Sequence, residues 1–370
     1  MYTLNERLPT TNGYVKQINL YPLELQLKTP FKTAHGLTTA RPITLVELVW
    51  GDGSRGYGEI QSFYDAAYDA ETQAISIAAI RAAAPAVFQN SIPVGMPSFA
   101  RAALEMAFSA VMPAREGAQL ISLPTMVDDT AKGVPVGQAI GIMPNAQGLT
   151  NQIERAIAQG YQRIKLKLGA APYDDVIAQV MPRFPTTMFS ADGNGGFAVH
   201  DGLQRLQRLE GMGFTFIEQP FSEDQNELNI AAIKQLTSLR ISLDESLHSI
   251  EGYERYRQTG ALFTIKQAKI GGWRTAMHIL QTDANAWVGG MLASGLGRSV
   301  DLALAQVSLT NHFAAYIPTD VSGSDRYFER DIIKTPMVIE HGAIQVPTQI
   351  ELDWEAIHAL QVTSTIEIRP

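Results

Sequence analysis

The stretch Arg163-Ile164-Lys165-Leu166-Lys167-Leu168 alternates charged and apolar residues over six positions, the period of a strand with one apolar and one charged face. Side chains two apart on a strand project to the same side, so Lys165 and Lys167 reach into one space. Two ammonium groups aimed into one cavity require anions there. The chain supplies them at intervals. Asp192 ends Met188-Phe189-Ser190-Ala191-Asp192, Glu218 ends Phe214-Thr215-Phe216-Ile217-Glu218, and Asp244 ends Arg240-Ile241-Ser242-Leu243-Asp244. A further lysine closes Leu262-Phe263-Thr264-Ile265-Lys266. The steps from Lys167 to Lys266 are 25, 26, 26 and 22 residues, each the length of one strand-helix unit.

Strand and helix patterns alternate without a break from Val134 on. Strands are predicted at 134–142, 163–168, 188–194, 214–220, 240–246, 262–270, 286–291 and 315–320, with amphipathic segments such as 150–160 and 201–211 between them. Gly160, Gly213 and Gly260 fall near helix ends, where a left-handed residue is accommodated. This alternation predicts a parallel sheet, and eight strands can close a barrel; an open doubly wound sheet is the alternative. The ring is favoured by geometry. In a flat sheet of ~4.8 Å spacing the outer two of five successive charged strands would lie about 19 Å apart, too far to share a site.

The first 130 residues read differently. Residues 14–30 and 43–50 pattern as strands, and Gly51 to Gly56 turns the second into Tyr57-Gly58-Glu59-Ile60. Phe31 to Arg41 is polar and aperiodic and reads as a mobile loop. Residues 70–84 and 97–111 have helical spacing, giving an α+β pattern. At the far end, Met337-Val338-Ile339-Glu340 and Ala343-Ile344-Gln345-Val346-Pro347 flank His341-Gly342 as a small hairpin, expected to return to the N-terminal layer.

A net charge of −8 and the lack of any basic block argue against a nucleic-acid or anionic-membrane surface. With no cysteine in 370 residues, disulfides, thiolate zinc sites and cysteine nucleophiles are excluded. Neither a secretory signal nor an 18-residue apolar run is visible, so the expectation is a cytoplasmic protein with no membrane partner. A homo-oligomer is compatible with this sequence. The seven histidines lack metal-ligand spacing and read as structural or surface residues.

Three carboxylates converging at strand C-terminal ends repel one another unless a cation sits among them, and all-oxygen ligation favours Mg²⁺ or Mn²⁺ over zinc. One acidic residue at a strand end merely solvates a loop as readily as it binds an ion; three in phase with two lysines do not reduce to that. Lysine becomes a base only if its pKa falls, and a neighbouring ammonium or metal ion lowers it, so Lys165 is expected to act on Lys167 in this way. Lys266, four strands on, would face Lys167 across the ring. That arrangement suits removal of a proton α to a carboxylate, with the enediolate held by the metal. Lys269 reads as a supporting residue. The glycine runs Gly193 to Gly196 and Gly295 to Gly297 read as turns rather than phosphate loops.

The motifs Lys165-x-Lys167, Asp192-Gly193-Asn194, Glu218-Gln219-Pro220, Asp244-Glu245-Ser246 and Lys266-x-x-Lys269-Ile270-Gly271-Gly272 together resemble the enolase superfamily, muconate-lactonizing-like group, over nearly the whole chain. Gly290-Met291-Leu292-Ala293-Ser294-Gly295-Leu296-Gly297-Arg298 and Ser322-Gly323-Ser324-Asp325-Arg326-Tyr327 resemble its o-succinylbenzoate synthase / N-succinylamino acid racemase branch. The resemblance implies an α/β fold: a (β/α)₇β TIM-type barrel over 130–321, and an α+β capping domain from 1–129 completed by 322–370. It implies Lys167 as base and Lys266 as its partner on the other face, with Asp192, Glu218 and Asp244 holding Mg²⁺, for which Mn²⁺ can substitute. Lys165, Asn194, Met291, Ser294 and Gly295 would bind a small-molecule carboxylate substrate, with the loop from Phe31 to Arg41 closing over it. The activity implied is syn-dehydration of 2-succinyl-6-hydroxy-2,4-cyclohexadiene-1-carboxylate to o-succinylbenzoate, a step toward menaquinone. N-succinylamino acid racemisation, alone or in addition, is the alternative, ahead of dipeptide epimerisation and muconate cycloisomerisation. A binding barrel without catalysis would be expected to have lost a ligand or a lysine, and none is missing. The sequence departs from the pattern at Gly193, where Ala is commoner, at Lys269, where the branch often has Arg, and at Ala293, where it often has Glu.

Overall fold

The computed structural model describes residues 13–33, 36–115, 117–124, 126, 133–236, 238–310 and 317–370. Its first layer grows from a long hairpin, β1 (Val15–Thr33) and β2 (Gly36–Trp50), continued by β3 (Arg55–Ile60). Alternation places Ile18, Leu20, Val46, Leu48 and Trp50 against α1 (Gln73–Val87) and α2 (Ser98–Ser109), and Leu23, Leu25, Ile43 and Leu45 against the rest of the molecule. The sheet is therefore buried on both faces where these residues lie, and β2 from Ile43 to Trp50 reads as a nearly continuous apolar run. Helix α2 lies directly on β3. A Cβ at Gly58 would sit 2.0 Å from the Ala103 carbonyl oxygen, so only glycine permits the approach. Short strands β4 (Val111–Met112) and β5 (Leu120–Ser122) extend the layer.

The hairpin differs from the sequence reading. In the described residues of Phe31 to Arg41 the chain is strand rather than loop: Phe31 pairs with Thr38, Lys32 with Leu37 and Thr33 with Gly36, after a register shift past Gln26. Residues 34 and 35 lie outside the described residues. Lys28, Thr29 and Pro30, just before this segment, are exposed, whereas Arg41 at its end is completely buried. Polarity without periodicity was the wrong cue.

After β6 (Val134–Pro135) the parallel sheet begins with β7 (Gly137–Ile140), α3 (Ala146–Ala158), β8 (Arg163–Lys167) and α4 (Tyr173–Val180). It continues through β9 (Met188–Asp192), α5 (Gly202–Glu210), β10 (Phe216–Glu218), α6 (Asn226–Gln235), β11 (Arg240–Leu243) and α7 (Ile250–Tyr256). The last units are β12 (Leu262–Ile265), α8 (Trp273–Thr282), β13 (Ala286–Val288) and α9 (Gly295–Thr310). Helix α3 illustrates the local logic. The Asn145 side chain accepts from Gly148 N at 2.8 Å as N-cap, and Leu149, Ile153 and Ala156 form its buried stripe.

Strands β7 to β13 pair in sequence order, all parallel. The predicted eighth strand reduces, among the described residues, to Thr319, bridged in parallel to Val136; residues 315 and 316 lie outside them. Gly137 N donates to Thr319 O (2.7 Å) and Thr319 Oγ1 to Val288 O (2.7 Å), so this segment ties β7 to β13 and closes the ring. The other strands are shorter than predicted at their C-terminal ends, because the chain leaves the ladder there to form loops. The floor is packed by Phe216, Leu262 and Trp287, with the Arg163 guanidinium 5.0 Å from the Trp287 ring centre.

In the tail, His341 (φ +52°) and Gly342 (φ +81°) make a two-residue turn between Glu340 and Ala343. The hairpin goes no further: β14 (Ala343–Ile344) pairs with β6 instead. The return to the N-terminal layer is made later. β15 (Gln349–Glu351) pairs with β5, and after α10 (Trp354–Leu360), β16 (Ile366–Ile368) pairs with β1.

Candidate active site

Strand β8 carries Arg163, Lys165 and Lys167 on its inward face like rungs, all buried. Arg163 sits lowest, bonded to Ser190 Oγ (2.6 Å), Pro318 O (2.9 Å) and the Asp320 carboxylate. Above it, Lys165 Nζ donates to Asp320, to Glu218 Oε2 (3.1 Å), and lies 3.4 Å from Asp192 Oδ2. Lys167 Nζ donates to the same Asp192 Oδ2 (2.7 Å) and to Asn194 Oδ1 (2.8 Å). Opposite, just beyond β12, Lys266 Nζ donates to Asp244 Oδ2 (2.6 Å) and bonds the Tyr68 hydroxyl (3.0 Å). Lys269 Nζ holds Asp244 from behind, through its backbone oxygen (2.8 Å) and Oδ1 (3.2 Å).

Two strand ends are set by side chains rather than ladder bonds. Gln219 adopts φ +34°, and its Oε1 accepts from Asp244 N (3.0 Å) and Ser246 N (3.2 Å) while Nε2 donates to Ser246 Oγ (2.7 Å). The side chain thus fixes the Glu218 and Asp244 strand ends relative to each other. Asn194, at φ +45°, donates from Nδ2 to Glu245 Oε1 (3.0 Å), which orients its oxygen toward Lys167.

The Enolase C-terminal domain-like family matches residues 148–356. An o-succinylbenzoate synthase of Geobacillus kaustophilus is 32% identical over 351 residues, 90% of this chain and 91% of its own length. The chain belongs to the enolase superfamily. An N-succinylamino acid racemase of Thermus thermophilus is also 32% identical, over 352 residues and 92% of its length. Among solved structures, an enolase-superfamily member from Listeria innocua superposes with TM-score 0.83 at 28% identity, covering 96% of this chain and 99% of that one. Muconate lactonizing enzyme from Pseudomonas putida, 18% identical, shares the fold with TM-score 0.80 over 94% of this chain and all of its own. The fold expected of the superfamily, a TIM-type barrel with a cap, is the one observed.

Electrostatically the enolase-superfamily site is dominated by burial and close ion pairs. Burial opposes the charge of Lys165, yet Asp320, Glu218 and Asp192 hold its pKa well above 10.5. Lys266 is likewise raised against its burial, by Asp244 and then Tyr68. In both lysines the carboxylates in direct contact outweigh burial and the neighbouring ammonium groups. Burial favours the neutral form of Asp192 and Asp244 too, but Lys167 and Lys165 hold the first, and Lys266 and Lys269 the second, below the usual carboxylate range. Glu218 goes the other way. Burial and the charges of Asp192, Asp244 and Asp320 raise it well above the usual value, with Lys165 opposing.

Enolase-superfamily enzymes use a divalent metal ion, and the donor set here fits one. Among the described residues no three acidic or histidine side chains are already gathered as ligands, because the carboxylates turn toward lysines. Glu218, however, is fully buried, and its Oε1 has no hydrogen-bond partner among the described residues. An orphaned carboxylate oxygen beside two further carboxylates is a hard, all-oxygen donor set.

Lys165, Lys167, Asp192, Asn194, Asp244, Lys266 and Met291 line one cavity, with Glu218 beneath it. Ser294 and Gly295 are not on its wall. Ser294 donates from N (3.1 Å) and Oγ to Glu59, and Gly295 N donates to Asp331 (2.9 Å), because the N-terminus of α9 needs acceptors for its free N–H groups. Gly290 and Leu292 line the wall in their place. Sequence reasoning missed Asp320 and Tyr68. Asp320 had a signal: it ends an apolar segment 54 residues after Lys266, two strand-helix units on. Tyr68 had none, since it arrives from an irregular segment of the cap.

Proposed function

We propose that this protein is an o-succinylbenzoate synthase, a carbon-oxygen lyase of the enolase superfamily that syn-dehydrates 2-succinyl-6-hydroxy-2,4-cyclohexadiene-1-carboxylate. One observation carries the mechanism. Lys167 and Lys266 enter one cavity from β8 and β12, each held by a different carboxylate, Asp192 and Asp244. Lys167 Nζ removes the α-proton, and the same group then returns it to the departing hydroxide, which leaves as water. Lys266, whose pKa is raised, stays cationic and faces the charge that builds on the substrate carboxylate. Asp192, Glu218 and Asp244 would hold Mg²⁺, or Mn²⁺ in its place. When bound, the ion stabilises that same developing charge. Lys165, Asn194 and Met291 contact the substrate, and Ser294 and Gly295 act by fixing the loop that carries Met291. Relatives named as o-succinylbenzoate synthases support the reading, and a cytoplasmic place in menaquinone formation follows from it.

Racemisation of N-succinylamino acids is the second reading, favoured by the presence of a lysine on each side of the cavity and by relatives bearing that name. The test is an assay of the purified protein with Mg²⁺ in deuterated water. Conversion of the cyclohexadiene carboxylate supports dehydration. Racemisation with deuterium entering Cα of an N-succinylamino acid, without dehydration, replaces it by the second reading.

A further inference from the structure

Arg41 is completely buried on β2, and its guanidinium bonds backbone oxygens through all three nitrogens. A buried guanidinium is costly unless its donors are used. Here they serve two walls of the cavity. Nη2 donates to Gln61 O and Nη1 to Ser62 O (3.2 Å), both in the cap segment between β3 and α1. Nε donates across to Leu292 O (2.9 Å), in the barrel loop between β13 and α9. The guanidinium plane also covers the Phe63 ring, 3.7 Å from its centre. Phe63 and Leu292 both line the cavity; Arg41 does not. The Tyr68 hydroxyl, further along the cap segment, meets Met291 Sδ (3.6 Å) and Lys266 Nζ (3.0 Å), so the fastened walls are those that reach the reacting side.

We propose that Arg41 is a positioning residue that sets substrate fit by fastening the cap wall at Gln61–Phe63 to the barrel wall at Leu292. It acts through Phe63 and Leu292, which form an apolar clamp for a planar or hydrocarbon portion of the substrate. The planar fork matters, because a lysine cannot serve three carbonyls and stack on a ring at once. The inference rests on the proposed activity only for its kinetic part.

The experiment compares wild type, Arg41→Lys and Arg41→Met, each with Mg²⁺. Hydrogen exchange followed by mass spectrometry reads the peptides covering 61–68 and 289–294, and steady-state kinetics reads the cyclohexadiene carboxylate. In Arg41→Lys, loss of one or two charged hydrogen bonds is expected to speed exchange about tenfold in both peptides, and in neither β1 nor β3. KM rises about tenfold while kcat changes less than about threefold. Arg41→Met shows the same pattern more strongly; if it does not fold, Arg41→Lys alone decides. Exchange that is unchanged, raised in one peptide only, or raised uniformly through the cap overturns the proposal, as does a fall in kcat at constant KM. Absence of turnover in wild type would sink the proposed activity, and the exchange comparison would still decide the role of Arg41.

Discussion

Asp192 Oδ2 accepts from Lys167 Nζ at 2.7 Å and lies 3.4 Å from Lys165 Nζ, so that one oxygen couples the proposed base to the network below it. Asp320 steadies that network through Arg163 and Lys165. Replacing it by Asn removes a buried charge with two cationic partners. Asp320→Asn is therefore expected to destabilise the fold by about 3–5 kcal/mol, read as a lower melting temperature. A loss under about 1 kcal/mol would mean that Lys165 finds enough charge in Glu218 and Asp192 alone. On the other face, Tyr68→Phe keeps the ring beside Lys266 but removes its hydroxyl partner. Turnover should fall by about tenfold, with the melting temperature nearly unchanged.

Elements are held together by few, well-placed groups. At Gly58, alanine would drive α2 off β3, and Gly58→Ala should cost about 1–3 kcal/mol by denaturant titration. His248, in the β11–α7 loop, joins Asp69 of the cap (2.6 Å from Nδ1) to Glu223 of the β10–α6 loop. Burial and Lys269 oppose its charge, but the two carboxylates raise its pKa to about 9 from 6.5. A group raised on folding stabilises fully below its unfolded value and loses that contribution as pH rises through the folded one. The melting-temperature difference between wild type and His248→Gln should thus be largest below pH 6.5 and vanish above about 9. A difference that stays constant from pH 6 to 10 would show that His248 packs without titrating.

Across the molecule, what the sequence made legible was what strand geometry dictates locally. Alternation in Arg163–Leu168 placed Lys165 and Lys167 together, and strand-end spacing found Asp192, Glu218, Asp244 and Lys266. What stayed hidden depended on distant partners. The described residues of the Phe31–Arg41 segment are strand because each arm pairs across the hairpin, which polarity does not reveal. Ser294 and Gly295 turn from the cavity because Glu59 and Asp331, 235 and 36 residues away, claim them. For the whole protein, a hundredfold excess of Mg²⁺ over its dissociation constant should add about 2.7 kcal/mol of stability, and Glu218→Gln should lose most of that gain.

The assignment of Lys167 as base is tested most directly by measuring dehydration in Lys167→Ala at saturating Mg²⁺, with Mg²⁺ binding followed by calorimetry. The expected result is a loss of at least about 10²–10⁴ in kcat with Mg²⁺ still bound and the protein still folded. A folded, Mg²⁺-bound Lys167→Ala that turns over within about tenfold of wild type would contradict it.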